Sequence, residues 1–276
     1  MSDPRERIGL VAGTGSLAVE FASRARERGC EVVVVALSAS DLDSLSDIAT
    51  SSAHFSPLQP KKIMAFFHSE GVRRVGFAGK VEKNLLFQGL KFDFEALRFM
   101  YRVKNLADIT IMDEVLEFVG KNNLEVIPQT EFLDHLLAPE GQFGKFPIPA
   151  GEEGEVRYAF QMAREIARLD IGQTLVAKKG AVVAVEAMEG TDETIRRGCA
   201  LAGTGAVVCK VARPDQDARY DIPTVGPATL KVVKEGGASI LVVEAGATFL
   251  IDKEALIKDA DAAGIALAGW RSEEEK

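Results

Sequence analysis

The sequence predicts an α/β protein in two parts: an N-terminal Rossmann-like parallel-sheet domain and a second α/β domain. Three observations predict it. Short β-branched runs alternate with segments of helical spacing through the first half; a strand, glycine turn and helix open the chain; and the Pro- and Gly-dense stretch APEGQFGKFPIPAGEEGE breaks the periodicity before a new amphipathic helix. The expected domains are 1–137 and 156–276, joined by a linker over 138–155.

The first strand, Ile8–Ala12, runs into Gly13-Thr14-Gly15 and an apparent helix. A glycine turn lets backbone approach an anion closely, and the helix N-terminus supplies unpaired N–H groups and a positive dipole end, so Gly13, Thr14 and Gly15 form a candidate phosphate cradle. The spacing also fits a relaxed dinucleotide fingerprint, GxGxxA. The second strand, Glu31–Leu37, then lacks the acid expected at its end to hold an adenosine ribose: Ser38-Ala39-Ser40 follow, and Asp41 is the first acid. A phosphate is therefore expected at the turn and NAD is not. Further strands are expected at Arg74–Phe77 and Leu124–Ile127.

The helix after the linker places Val156, Ala159, Phe160, Ala163, Ile166 and Ala167 on one face. Strands follow at Thr174–Lys178 and Ala181–Ala187, joined as a hairpin at Lys179-Gly180, then at Ala206–Ala212, Ser239–Val243 and Ile265–Ala268. Helices are expected at Asp192–Leu201, Ala228–Glu235 and Lys253–Ala263.

Composition bounds the function. Of 276 residues, 47% are apolar and 27% charged, an ordinary globular balance, and the net charge of −8 without a dominant basic patch argues against a nucleic-acid partner. Cys30, Cys199 and Cys209 are widely spaced, which fits free thiols in a reduced compartment. With a polar start, MSDPRER, and no membrane-length apolar run, the protein is expected in the cytoplasm. The stretch Lys83–Leu106 mixes large apolar side chains, among them Leu85, Leu86, Phe87, Leu90, Phe92 and Phe94, with basic ones. Core packing explains it, as does a greasy pocket with a basic rim suited to acyl chains or an anionic membrane surface.

Acids collect in the second domain. Glu186 stands within the apolar run VVAVEAM, where a lone carboxylate must be paired, protonated or metal-bound. Glu189, Gly190, Thr191 and Asp192 follow, with Thr191 as a candidate N-cap of a second anion-receiving helix end. The loop RPDQDARYDIPTVGP carries Arg213, Asp215, Asp217, Arg219 and Asp221, stiffened by three prolines, and Glu244 ends another strand. Acids without His or Cys partners point to a hard divalent ion, magnesium or manganese, with Glu186, Glu189, Asp192 and Asp221 as candidate ligands. Lys210, Arg213 and Arg219 are candidate phosphate neutralisers.

The blocks GLVAGTGSLAVEFA, GVRRVGFAGKV, LDIGQ, VVAVEAMEGTDETI and KVARPDQDARYDIPTVGP resemble the LpxI type of UDP-2,3-diacylglucosamine pyrophosphatase, across nearly the whole chain. The resemblance implies a cytoplasmic two-domain enzyme of lipid A biosynthesis. Its lipid-linked UDP-sugar substrate binds in the cleft, and a divalent cation supports hydrolysis to UMP and 2,3-diacylglucosamine 1-phosphate (lipid X). It places the key aspartate at Asp221 in Arg219-Tyr220-Asp221-Ile222-Pro223-Thr224. Gly79, Lys80, Gly190, Thr191, Arg213 and Thr224 are further candidate phosphate or substrate contacts. Where the family often has a second glycine after FAG, this chain has Lys80. A homodimer and a transient contact with a membrane surface are compatible with this reading. The rival readings are a nicotinamide oxidoreductase and a non-enzymatic nucleotide-sugar or lipid-binding protein.

Overall fold

The computed structural model describes residues 5–81 and 108–271. Among them the chain divides into two compact units: one runs to Asp134 and includes Ala218–Tyr220, the other comprises His135–Asp217 and the chain from Asp221 onward.

In the first unit, β1 (Arg7–Ala12), β2 (Glu31–Ala36), β3 (Ser51–His54), β4 (Arg74–Ala78) and β5 (Glu125–Val126) form one sheet in the order β3-β2-β1-β4-β5. Every pairing is parallel. The crossovers carry α1 (Ser16–Glu27), α2 (Ala39–Leu45), α3 (Pro60–Ser69) and α4 (Asp108–Lys121), and α5 (Thr130–Leu133) follows β5. On α1 the buried residues Ala18, Phe21, Ala22 and Ala25 recur at helical spacing, so one stripe faces the sheet. A side chain at Gly76 of β4 would come within 2.3 Å of the Phe21 ring, so the glycine there makes room for it. On α3, Ile63, Met64 and Phe67 pack with Val33, Val35 and Val75. The sequence pattern does not reveal β3, because SSAH offers only alternation of half-buried and exposed polar or small residues. It is an edge strand.

The second unit is built on β6 (Gly141–Gln142), β7 (Thr174–Lys178), β8 (Ala181–Val185), β9 (Val207–Lys210), β11 (Ile240–Glu244) and β13 (Ala266–Trp270), in the order β6-β13-β11-β9-β7-β8. A separate two-stranded pair joins β10 (Thr224–Val225) to β12 (Phe249–Leu250). Strands β9, β11 and β13 are parallel, while β7 runs antiparallel to both neighbours and β6 antiparallel to β13. Lys179 and Gly180 both take positive φ, 52° and 73°, as a tight two-residue hairpin of primed type requires.

Strand alternation sorts the core into two layers. Leu175, Ala177, Val207, Cys209, Ile240 and Val242 face α6 (Glu153–Arg168), whose buried stripe is Val156, Ala159, Phe160, Ala163 and Ala167. Val176, Val208, Leu241 and Val243 face the other way. They meet Ile195 and Cys199 of α7 (Thr191–Ala202), Leu230 and Val233 of α8 (Pro227–Glu235), and Leu256 and Ala260 of α9 (Lys253–Ala263). Each large side chain buried this way contributes about 1.5–3 kcal/mol. Within 138–155, Gly141 and Gln142 pair with Gly269 and Ala268, Ala138 is buried, and α6 begins at Glu153.

No helix among the described residues is long and apolar enough to cross a membrane. The amphiphilic stretch 83–106 lies outside the described residues.

Candidate active site

In the first unit the glycine turn lies where strand order reverses, between the ends of β1 and β4. Its main chain is already engaged. Gly13 N–H donates to the Ala78 carbonyl at 2.9 Å, and Thr14 and Lys80 exchange N–H to carbonyl bonds at 2.8 Å each. Side chains at Gly13 and Gly79 would lie 2.6 Å from the Lys80 oxygen and 2.4 Å from the Gly13 oxygen, so these glycines exist to let two loops touch. The anion-receiving capacity expected of Gly13 and Thr14 therefore falls to Gly15, the N-cap with φ 113°, and to the opening N–H groups of α1, which a helix leaves unpaired. Lys80 is exposed.

No acid ends β2, but one lies a turn later. Asp41, in the first turn of α2, is buried; its Oδ2 accepts from Ser38 Oγ at 2.6 Å and stands 3.4 Å from Thr14 Oγ1. Helical geometry folds this carboxylate back to the glycine turn, which strand periodicity does not anticipate.

The second unit gathers the larger part of the expected site around one hydroxyl. Thr191 is the first residue of α7, and the N-cap is Gly190 with φ 84°, so Thr191 does not cap the helix. Its Oγ1 instead donates to Glu186 Oε1 at 3.0 Å and accepts from Lys210 Nζ at 3.2 Å and Thr174 Oγ1 at 3.3 Å. One donor and two acceptor positions are all a hydroxyl has, and all are used. Lys210, at the end of β9, also donates to the Thr224 carbonyl at 3.0 Å. Burial pushes the Lys210 ammonium below the ordinary lysine range, opposed by the charges of Glu186, Asp192 and Asp221.

Glu186 is half-buried just beyond the edge strand β8 rather than sealed inside a strand. Pairing through Thr191, and at 3.4 Å the Gln173 N–H, accounts for it. A side chain at Gly172 would meet the Glu186 carbonyl oxygen at 2.1 Å, so the glycine of LDIGQ brings these backbones together. Glu189 turns elsewhere: it is exposed, bonds Arg197 of α7, and its own backbone N–H followed by Arg197 holds its carboxyl below the usual range.

The loop after β9 holds Arg213 and Asp221 in an ion pair, and Arg213 also bonds Asp170 at 3.0 Å. Asp170 and Asp221 keep Arg213 charged against the cost of its burial. Asp215 is exposed, and the Asp217 carbonyl accepts the Asp221 N–H at 3.0 Å. Glu244 does not join the acids. Buried at the end of β11, it bonds Arg164 of α6 and accepts the Ala212 N–H at 2.8 Å, anchoring the foot of the loop. Arg219 lies in Ala218–Tyr220, which cluster with the first unit, where the Gln129 N–H donates to the Ala218 carbonyl at 2.8 Å.

Three residues of this arrangement were not singled out by sequence reasoning: Thr174, Gln173 and Gln216, whose side chain bonds Gln173 and the Arg213 N–H; the last two lie inside quoted motifs, but Thr and Gln are common on strand ends and loops. Among the described residues no three acid, His or Cys side chains converge into a metal cage. The expected quartet is not assembled, because Glu189 is drawn to Arg197. Glu186, Asp192 and Asp221 nevertheless all act on Lys210. A few hard oxygen donors suit magnesium where substrate phosphates complete its shell.

Comparison with known proteins agrees with this division of the chain. The LpxI N-terminal domain family matches residues 7–136 and the LpxI C-terminal domain family residues 139–268. The UDP-2,3-diacylglucosamine pyrophosphatase LpxI of Caulobacter vibrioides is 32% identical over 274 residues, covering 95% of this chain and 97% of the relative. Among solved structures, glycinamide-RNase-transformylase T from Mycobacterium tuberculosis aligns at 17% identity over 66% of this chain and 44% of that one, with a TM-score of 0.25. The ADP complex of purK, N5-carboxyaminoimidazole ribonucleotide synthetase, aligns at 14% identity over 76% and 67%, with a TM-score of 0.26. Scores that low carry no argument about this fold. Because both domain families match in order and one relative aligns almost end to end, the chain belongs to the LpxI family.

Proposed function

We propose that this chain hydrolyses the diphosphate of UDP-2,3-diacylglucosamine to UMP and 2,3-diacylglucosamine 1-phosphate. The observation that supports the reading is the Lys210 ammonium, held by Thr191 and Thr224 and facing the charges of Glu186, Asp192 and Asp221. A half-buried cation beside carboxylates and a helix N-terminus suits a reaction in which phosphate charge shifts. Water attacks the β-phosphorus, the bond to the bridging oxygen breaks, and its electron pair leaves with UMP.

Asp221 orients the attacking water, Lys210 and Arg213 neutralise phosphate oxygens, and the opening N–H groups of α7, following Gly190, receive one of them. Asp192 and Asp221, with Glu186 behind Thr191, would hold magnesium or manganese together with the diphosphate; bound there, the ion offsets phosphate charge and acidifies water. In the first unit, Gly15 and the opening N–H groups of α1, with Arg219 and Lys80, are proposed as an anion-receiving group in their own right. Transient association with a membrane surface follows from a lipid substrate.

Asp221→Asn tests the assignment. Turnover should fall about a thousandfold with the melting temperature nearly unchanged, as for loss of a group acting on the attacking water. Chelation should abolish turnover and magnesium restore it. Hydrolysis in oxygen-18 water should label the sugar phosphate. Wild-type turnover in Asp221→Asn would sink the role of Asp221, and label in UMP would move the attack to the α-phosphorus.

A further inference from the structure

The loop carrying Arg213 and Asp221 is closed on itself by a single side-chain amide. Gln216 Oε1 accepts the Arg213 N–H at 2.9 Å and a bond from Gln173 Nε2, while Gln216 Nε2 donates to the Asp221 carbonyl. A backbone N–H only donates and a carbonyl only accepts, so these two partners dictate which end of the amide faces which. The Gln216 N–H returns to the Arg213 carbonyl at 3.1 Å. The tie extends to the sheet. Gln173 accepts the Val211 N–H on its carbonyl at 2.9 Å, and its own N–H points at Glu186 Oε2 at 3.4 Å. One amide thus links the start of the loop, its end at Asp221, and the strand end beside Glu186.

We propose that Gln216 is a positioning residue for Asp221, fixing the Asp221 backbone against Arg213 and, through Gln173, against the sheet end that bears Glu186. This rests on the role of Asp221 given above. Without the amide, the Asp221–Arg213 ion pair and the bond from the Asp221 N–H to the Asp217 carbonyl are left to set where the carboxylate stands. An ion pair tolerates several geometries that a two-ended backbone clamp does not.

Two substitutions test it, with UDP-2,3-diacylglucosamine as substrate. Gln216→Met removes both ends of the clamp. It should lower kcat by about tenfold or more, the scale of a misplaced catalytic group, with KM and melting temperature nearly unchanged. It should cause no further loss in an Asp221→Asn background, because the group being positioned is already gone. Gln216→Asn keeps the amide but is one methylene too short to reach the Arg213 N–H and the Asp221 carbonyl together, and it should lose kcat as Gln216→Met does. Wild-type kcat in Gln216→Met, or a loss that multiplies in the Asp221→Asn background, would each overturn the proposal. Should Gln216→Met fail to fold, Gln216→Asn takes its place in both comparisons. An inactive Asp221→Asn beside an unaffected Gln216→Met defeats only the positioning role, whereas an active Asp221→Asn defeats the parent assignment and this one with it.

Discussion

Two helix starts in this chain read alike and are built differently. Both α1 and α7 follow a glycine of positive φ and have a threonine next to it, the usual marks of an anion-receiving helix end. At the first, Thr14 precedes the cap and spends its main chain on Lys80, leaving its hydroxyl only a 3.4 Å approach to Asp41. At the second, Thr191 follows the cap and its hydroxyl joins Glu186, Lys210 and Thr174. Moving the threonine across the cap converts a backbone clasp into a side-chain hub. The local motif is therefore a poor guide to chemistry; what lies against it decides.

The strongest way to break this comparison is to remove each hydroxyl. Thr191→Val takes one hydrogen-bond partner from the Lys210 ammonium, leaving it the Thr224 carbonyl, and one from the Glu186 carboxylate, leaving it the Gln173 N–H; this costs about 1–3 kcal/mol and should lower turnover by roughly 10–100-fold. Thr14→Val removes only a long contact and should leave turnover within about threefold, as a weak surface-facing bond of this length would. Equal losses in steady-state assays of the two variants would make the hubs equivalent after all.

Glycine substitution separates the two sites by stability. Gly79→Ala drives a methyl into the Gly13 carbonyl at 2.4 Å from a backbone of φ 93°, and should cost about 3 kcal/mol. Nothing lies within 4 Å of a methyl at Gly190, so Gly190→Ala should cost only the backbone strain of φ 84°, ψ 170°, about 2 kcal/mol, with no clash added. Denaturant melts of the two variants, ranked the other way, would show that the clasp between β1 and β4 is not tight.

A pH profile sharpens the second site. Burial disfavours the charged form of Lys210, so the folded chain releases this proton at a lower pH than the unfolded chain does. Between those two values the unfolded chain binds more protons, and stability rises with pH; under the proposed role of the Lys210 charge, turnover falls across the same window. The alkaline limb of kcat/KM should start below the ordinary lysine value and move up in Lys210→Arg. A limb unmoved by that substitution would assign the loss to another group. The smallest expected effect is at the first site: NAD or NADP at millimolar concentration should leave the melting temperature unchanged, because Gly13 and Thr14 already use their N–H groups. A saturable rise would return the glycine turn to dinucleotide binding.

Much of the fold was legible from periodicity. The α6 stripe, the hairpin at Lys179-Gly180 and the strands around Val208 and Val242 follow from apolar spacing and turn chemistry. The short polar strand β3 and the two-residue strands β6, β10 and β12 were not, since their pairing is fixed by neighbours rather than by their own residues. At the candidate site, charge and position singled out Lys210, Glu186, Glu189, Asp192 and Asp221; in the structure the charges of Glu186, Asp192 and Asp221 act on Lys210, while Glu189 bonds Arg197. Whether a carboxylate faces Lys210 or Arg197 depends on one turn of backbone that sequence spacing does not resolve. Thr174 and the Gln173–Gln216 pair were invisible for a further reason: their importance lies in which backbone groups they meet.

The three cysteines give this molecule an internal chemical clock. Cys209 on β9 points into the α6 layer and Cys199 on α7 into the opposite one, while Cys30 is half-buried in the first unit. Burial raises the pKa of all three thiols, so each is a slow nucleophile until water reaches it. A thiol-selective reagent applied to the native protein therefore times separate events: exposure of one layer of the second unit through Cys209, of the other through Cys199, and loosening beside β2 through Cys30. The order in which the three are modified ranks how readily each part of the chain opens.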